Sequence, residues 1–160
     1  MKLDINRITE IDNELKALEL EDERICKEAV EKYGENWFEK VYSQIKEIDK
    51  KVEELKHERI IVKATNIEVG DGISMSPYTD WDAYTVIERK ETPKGFVLTV
   101  QEDKAIRTDH NGMSESQDYR FERDTNGIIR TIKWNPRKQW FTGDYSRISL
   151  GRKAYYDYSF

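Results

Sequence analysis

The first 58 residues and the remainder of the chain follow different hydrophobic periods, and no single kind of element accommodates both. Ile8, Ile11, Leu15 and Leu18 step by three and four, and so do Val41, Ile45, Ile48, Val52 and Leu55. That is the a/d spacing of a coiled-coil seam, with charges on the other faces. Residues 4–58 therefore read as helix, with a shorter helical stretch at about 22–33 and a break near Gly34. Trp37 and Phe38 open the last helix. The region holds no proline, and Gly34 is its only glycine. Stripes of this kind are packing surfaces, satisfied by helices of the same chain or across an oligomer.

After residue 59 the period changes to two. Ala83 to Glu88 alternates and is β-rich, Thr92-Pro93-Lys94-Gly95 makes a turn, and Phe96 to Gln101 reads as the returning strand. Tyr119–Glu122 and Ile128–Trp134 read as two more strands, joined through Asp124-Thr125-Asn126-Gly127 as a hairpin. Gln139–Phe141 and Ile148–Leu150 complete a small antiparallel sheet, while Val69-Gly70-Asp71-Gly72 reads as a tight turn. The expected fold class is α+β: an N-terminal helical or coiled-coil region followed by a small antiparallel β domain. The expected divisions are a helical arm at 1–58 for packing or oligomerisation, a connection at 59–66, and a ligand-binding β domain at 67–160.

Charge divides along the same line. The whole chain carries −5, with a balance of −6 in residues 1–58 and +1 in residues 59–160. An acidic chain is a poor non-specific nucleic-acid binder, so neither DNA nor RNA is expected as a partner, and an anionic ligand is best sought in the C-terminal part. Cys26 is the only cysteine, which excludes an intramolecular disulfide and fits a reducing cytosol. The N-terminus MKLDINRITE is neither a signal nor a transit peptide, and no apolar run approaches a membrane span, so a cytoplasmic protein without a membrane partner is expected.

Catalytic and metal chemistry finds little support. His57 and His110 lack the Cys/His/Asp spacing of a zinc site, and there is no nucleophile elbow, no HExxH and no Walker loop. Asp80, Asp82, Asp103, Asp109 and Asp124 could pair as acid and base, but each sits in or beside an expected turn, where aspartate serves local hydrogen bonding. No catalytic residue, metal ligand or cofactor is assigned.

Binding chemistry is better supplied. Arginines 107, 120, 123, 130, 137, 147 and 152 offer planar forks that match phosphate, and Tyr78, Trp81, Tyr84, Trp134 and Trp140 offer rings on which a base can stack. The plain reading of the same inventory is rings in a core and arginines in water. The last ten residues, GRKAYYDYSF, crowd three tyrosines and a phenylalanine into a terminus, which implies a tail docked into the core or into an oligomer interface.

Four strings, VGDGISMSPYTDWDAYTVIE (69–88), LTVQEDKAIRTD (98–109), NGMSESQDYRFERDTNG (111–127) and SLGRKAYYDYSF (149–160), resemble the first family of Thoeris anti-defence proteins. The resemblance covers most of residues 67–160 in order and none of the helical region. It implies a phage sponge rather than an enzyme. Such a protein binds and sequesters a cyclic ADP-ribose isomer without cleaving it, in the cytoplasm of the infected bacterial host cell. It would act as a homo-oligomer with ligand at the protomer interface, and some relatives also hold cyclic oligonucleotides. Under this resemblance Arg107 and Arg152 match arginines that would hold the ligand's diphosphate. Asn126 would read ribose or adenine edges, or else is a turn residue at positive φ. Met113 would cover the base face, or else is an exposed loop methionine. Tyr78 would stack on the base, or else packs in the core, and Arg147 is a further basic candidate or a solvated one. Where the family tends to read EPDPNG, this chain reads Glu122-Arg123-Asp124-Thr125-Asn126-Gly127, without the prolines that pre-set φ. The other reading of the chain is a phage structural or protein-interaction module assembled through its helical arm.

Overall fold

The computed structural model describes residues 6–145 and 147–159. The chain is α+β and divides between Asn66 and Ile67 into two compact units.

The first unit is a helical hairpin. Helix α1 spans Asn6–Tyr33, a short 3₁₀ turn follows at Gly34–Asn36, and helix α2 spans Trp37–Thr65. The stretches expected as separate at 8–18 and 22–33 are one continuous helix, because nothing between them breaks the backbone. Gly34 ends it at φ +58°, a left-handed conformation that glycine adopts without a Cβ penalty. The helices lie antiparallel, with Arg7 Nε 2.8 Å from Glu58 and Arg59 Nε 2.7 Å from Asp12. Ile11, Ala29, Val41 and Ile48 are buried, whereas Leu15, Leu18, Ile45, Val52 and Leu55 are only half-buried. Helix α2 runs through 59–65, where a connection was expected. At its end Thr65 Oγ1 donates to Ile61 O and Val62 O, and Asn66 Nδ2 donates to Val62 O, so the final carbonyls are satisfied locally. Among the described residues no helix is long and apolar enough to cross a membrane.

The second unit is a nearly closed, barrel-like antiparallel sheet. Its strands are β1 (Gly72–Ser76), β2 (Asp82–Thr92), β3 (Gly95–Glu102), β6 (Ile129–Asn135), β7 (Trp140–Thr142) and β8 (Arg147–Leu150), in the order β7-β6-β3-β2-β1-β8. Trp140 Nε1 donates to Ile148 O at 3.3 Å, which links β7 to β8 and draws the two edges together. Phe96, Leu98 and Val100 alternate inward along β3 and share the core with the buried Ile73, Met75, Val86, Ile132 and Phe141. Phe96 stacks on Trp134 at 5.6 Å between centroids, with Phe141 edge-on to both. Strands β2 and β3 form the expected hairpin across Pro93-Lys94, with Gly95 at φ +134°. Ile87 is the extra residue of a bulge that shifts their register.

One expected pairing is overturned. Strand β5 (Tyr119–Glu122) pairs with β4 (Lys104–Arg107), not with β6, which pairs with β3. The Asp124–Gly127 turn therefore carries the chain from one sheet to the other. It is bound to the end of β3: Gln101 Nε2 donates to Thr125 O and Gly127 O, and Glu102 N donates to Ile128 O. A Cβ on Gly127 would collide with the Glu102 backbone, so this approach requires glycine for its size.

Candidate functional site

The segment after β8 carries Arg152 and is tied to β1, to the β1–β2 loop and to the 108–118 loop. Gly151 N donates to Gly72 O, and Ser74 Oγ donates to Gly151 O while accepting from Lys153 N. Trp81 and Tyr155 exchange both backbone hydrogen bonds as an isolated antiparallel bridge. Further on, Tyr156 N donates to Gln117 Oε1, Gln117 Nε2 donates to Tyr156 O, and Asp157 N donates to Asp80 Oδ1. The aromatic tail is thus fastened through its backbone as much as through its rings. Tyr155 and Tyr158 are half-buried and Tyr156 is exposed; Phe160 lies outside the described residues.

Arg152 leaves this segment to meet Asp103, which sits between β3 and β4. The Asp103 side chain is only 1 % exposed. Its Oδ2 accepts from Arg152 Nε at 3.0 Å and from Thr85 Oγ1 at 2.6 Å, and its Oδ1 accepts from Arg123 Nη1 at 2.5 Å. Arg152 Nη2 also donates to Gly70 O and Thr85 Oγ1, and Arg123 Nη2 donates to Gln101 Oε1. One buried carboxylate therefore holds two guanidiniums, and the cluster keeps one net positive charge. The Arg152 side chain remains 31 % exposed. Sequence reasoning passed over Asp103 as a turn residue; nothing in its neighbourhood in sequence announces two arginines 20 and 49 positions away.

Arg107, at the end of β4, is engaged in the same way. It forks onto Asp109, with Nε to Oδ2 at 2.8 Å and Nη2 to Oδ1 at 2.9 Å, and Nη1 donates to Tyr158 OH at 2.7 Å. Asp109 also accepts from the backbone N–H groups of Asn111 and Asp118, which folds the 108–118 loop around it. These donors hold its carboxyl well below the usual carboxylate range, Arg107 contributing most.

The remaining candidates fall in three places. Asn126 lines a cleft of about 460 Å³ with Asp82, Glu102, Asp103, Lys104, Asp124 and Ala154. Its φ is not positive, so the turn does not require an asparagine for that reason; Asp124 Oδ1 accepts from its N–H instead. The cleft is acidic. Burial pushes the carboxyls of Asp82 and Glu102 up, and each is raised further by a neighbouring carboxylate. Its walls repel phosphate and accept hydrogen bonds from hydroxyl or amino groups. Met113 stands in the 108–118 loop at 72 % exposure, an exposed loop methionine. Tyr78 is 84 % exposed in the β1–β2 loop, so it packs in no core of the described chain. Arg147 donates from Nη2 to Ser76 Oγ, which donates in turn to Tyr78 O, so these two candidates adjoin.

The geometry thus puts Asp103 and Asn126 in the wall of one cleft, with Arg152 joined to it through Asp103 alone, Arg107 and the tail around the 108–118 loop, and Tyr78 beside Arg147. Of the aspartates considered for acid–base work, Asp103 and Asp109 are spent on arginines, Asp80 accepts from the tail, and Asp124 accepts within its own turn. Among the described residues no group of three or more His, Cys, Asp or Glu side chains is placed to hold a metal ion. The class this defines is a helical hairpin followed by an antiparallel, barrel-like β unit with a fastened C-terminal segment. Comparison with protein-family models, curated proteins and solved structures finds no match to the chain.

Proposed function

We propose that the protein is a phage anti-defence sponge whose β unit sequesters a cyclic ADP-ribose-type nucleotide without cleaving it, and so blocks TIR-dependent Thoeris immunity. The observation that carries this reading is the fastened tail: one hydrogen-bonded segment holds Arg152 at its start and meets Arg107 through Tyr158 near its end. Arginines fixed before the ligand arrives lose little side-chain entropy on binding, which favours affinity. The acidic cleft beside Asn126 supplies acceptors for ribose hydroxyls and the adenine amino group, with the phosphates directed away from its walls. In this reading the working form is a homo-oligomer with ligand at the protomer interface, located in the cytoplasm of the infected bacterium, and cyclic oligonucleotides are a second ligand class to test.

The test is a ligand-recovery experiment. The protein is incubated with cyclic ADP-ribose isomers, freed of unbound ligand and heat-denatured, and the supernatant is analysed by mass spectrometry. Intact ligand is expected; a hydrolysed product would identify an enzyme. Arg107→Ala and Arg152→Ala should each weaken binding, and unchanged affinity in both would remove them from the site.

A second reading, a structural or protein-interaction module, is favoured by the hairpin tip. Tyr33, Phe38 and Tyr42 are exposed there, and Phe38 contacts both Trp37 and Tyr42 edge-on. It predicts no thermal shift with any cyclic nucleotide, whereas a nucleotide at a hundred times its Kd raises stability by about 2.7 kcal/mol.

A further inference from the structure

Most arginines of the β unit are neutralised within the protein. Arg89, Arg107, Arg120, Arg123 and Arg152 each pair with a carboxylate. Two cations on the β1–β8 flank are not. Arg147 and Lys153 sit over the same indole, that of Trp81, at 5.3 and 5.7 Å from its centroid. Each is steered by a hydroxyl: Arg147 Nη2 donates to Ser76 Oγ at 2.9 Å, and Lys153 Nζ donates to Ser149 Oγ at 3.0 Å. Among the described residues neither forms a salt bridge. A hydroxyl fixes the direction of a cation without cancelling its charge, so this flank keeps two positive charges that are oriented and unspent.

The surroundings add the rest of a recognition surface. Ser76 is fully buried and donates to Tyr78 O, which ties the Arg147 anchor to the loop that presents the Tyr78 ring to solvent. Trp81 is locked by its two backbone hydrogen bonds to Tyr155, and Lys153 N is held by Ser74 Oγ. Two acidic residues flank Trp81 in sequence: Asp80 accepts from Asp157 N and so turns toward the tail, and Asp82 lines the cleft beside Asn126. Their distances to one centroid put the two cations no more than about 11 Å apart, a span that a ligand carrying two linked phosphates can bridge. An exposed tyrosine next to them offers a face for a base.

We infer that Trp81, Arg147 and Lys153 form a pyrophosphate seat, with Tyr78 as the stacking face for an attached base. In choosing a nucleotide as the occupant this rests on the sponge reading; it moves the phosphate contacts away from Arg107 and Arg152, whose charges are already met by Asp109 and Asp103. Those two arginines then act as positioning residues that fix the tail and, through it, Lys153.

The test uses the full chain with two probes, inorganic pyrophosphate and cyclic ADP-ribose, titrated by calorimetry and by the indole N–H resonances in NMR. Trp81→Phe assigns the Trp81 signal. The seat predicts that both probes bind, that the Trp81 resonance moves, and that Arg147→Gln/Lys153→Gln weakens both at least tenfold. Arg120→Gln/Lys133→Gln, an equal charge change elsewhere on the β unit, should leave both affinities within twofold. All four positions are exposed, and an unchanged melting temperature confirms folding. Pyrophosphate binding without cyclic ADP-ribose binding would keep the seat and end the sponge reading. Cyclic ADP-ribose bound equally well by the Arg147/Lys153 variant would overturn the seat and leave the sponge reading standing. Binding of neither probe would overturn both.

Discussion

The two units of this chain manage their charges in opposite ways. The helical hairpin wears its ion pairs on the outside: Arg7 reaches Glu10, Glu14 and Glu58 in contact with solvent, and Lys50–Glu54 and Arg24–Glu28 line exposed helix faces. The β unit takes carboxylates inside and surrounds them with arginines, as at Asp103 and Asp109. Exposed pairs are screened and contribute little, whereas a buried carboxylate becomes costly once its partners are removed. Charge in the hairpin therefore adds little to its stability, while charge in the β unit fixes the positions of particular side chains.

The sharpest way to test the contrast is to damage each unit at its centre. Phe96→Ala removes a ring that stacks on Trp134 in the β core, and should cost about 3–5 kcal/mol in urea denaturation followed by tryptophan fluorescence. Asp103→Ala leaves Arg123 and Arg152 facing each other without their shared carboxylate. Its expected cost is about 3 kcal/mol, moderated because both guanidiniums reach solvent. A loss below about 0.5 kcal/mol would show that the cluster positions side chains without stabilising the fold. Ile48→Ala, at the hairpin's buried stripe, should cost about 2 kcal/mol, read as loss of helical ellipticity on heating, because a two-helix site can partly close over the missing atoms.

Acidification should act with opposite signs on the carboxyls of the cleft and on Glu58 of the hairpin. Burial raises Asp82 and Glu102 above their ordinary values of 3.8 and 4.5, so the folded β unit holds those protons more tightly than the unfolded chain. Their contribution is complete below those values and is lost as pH rises through the higher folded values. Asp82→Asn with Glu102→Gln should therefore flatten the fall of melting temperature on that side. Glu58 in the hairpin is lowered by Arg7, so its contribution is present above 4.5 and is lost as pH falls through its depressed value. A double Asp82/Glu102 variant with an unaltered pH profile would remove the cleft's carboxyls from the account. The smallest effect belongs to Arg7→Ala: a slight lowering of the melting temperature at low salt, absent in 1 M NaCl, since salt screens the exposed pairs it breaks.

The same contrast governs what could be read from the residues. The hairpin's stripes, the turn at Gly34 and the β2–β3 hairpin at Pro93-Lys94 are local patterns, each written within a few neighbouring positions. The Asp124–Gly127 turn carries an equally local signal and still misled, because Asn-Gly reports a tight turn and is silent about which strands it joins. The hydrogen bonds from Gln101, at the end of β3, to Thr125 and Gly127, and the close approach of Gly127 to Glu102, decided that. Among the candidate site residues, Arg107 and Arg152 were visible as arginines but not as paired ones. Trp81 was visible as one of several rings, and Lys153 stood out only once it was placed with Arg147 over that ring.

The sequence by itself determined the periods, and with them the order of a helical region and an antiparallel β region. Those depend on backbone geometry repeated every 3.6 or 2 residues. Tertiary structure alone decided that the carboxylate at 103 holds the arginines at 123 and 152, that β5 pairs with β4, and that Arg147 and Lys153 meet one indole and, among the described residues, no carboxylate. Each of these is a choice among partners far apart in the chain, settled by which strands lie side by side and which side chains reach across them.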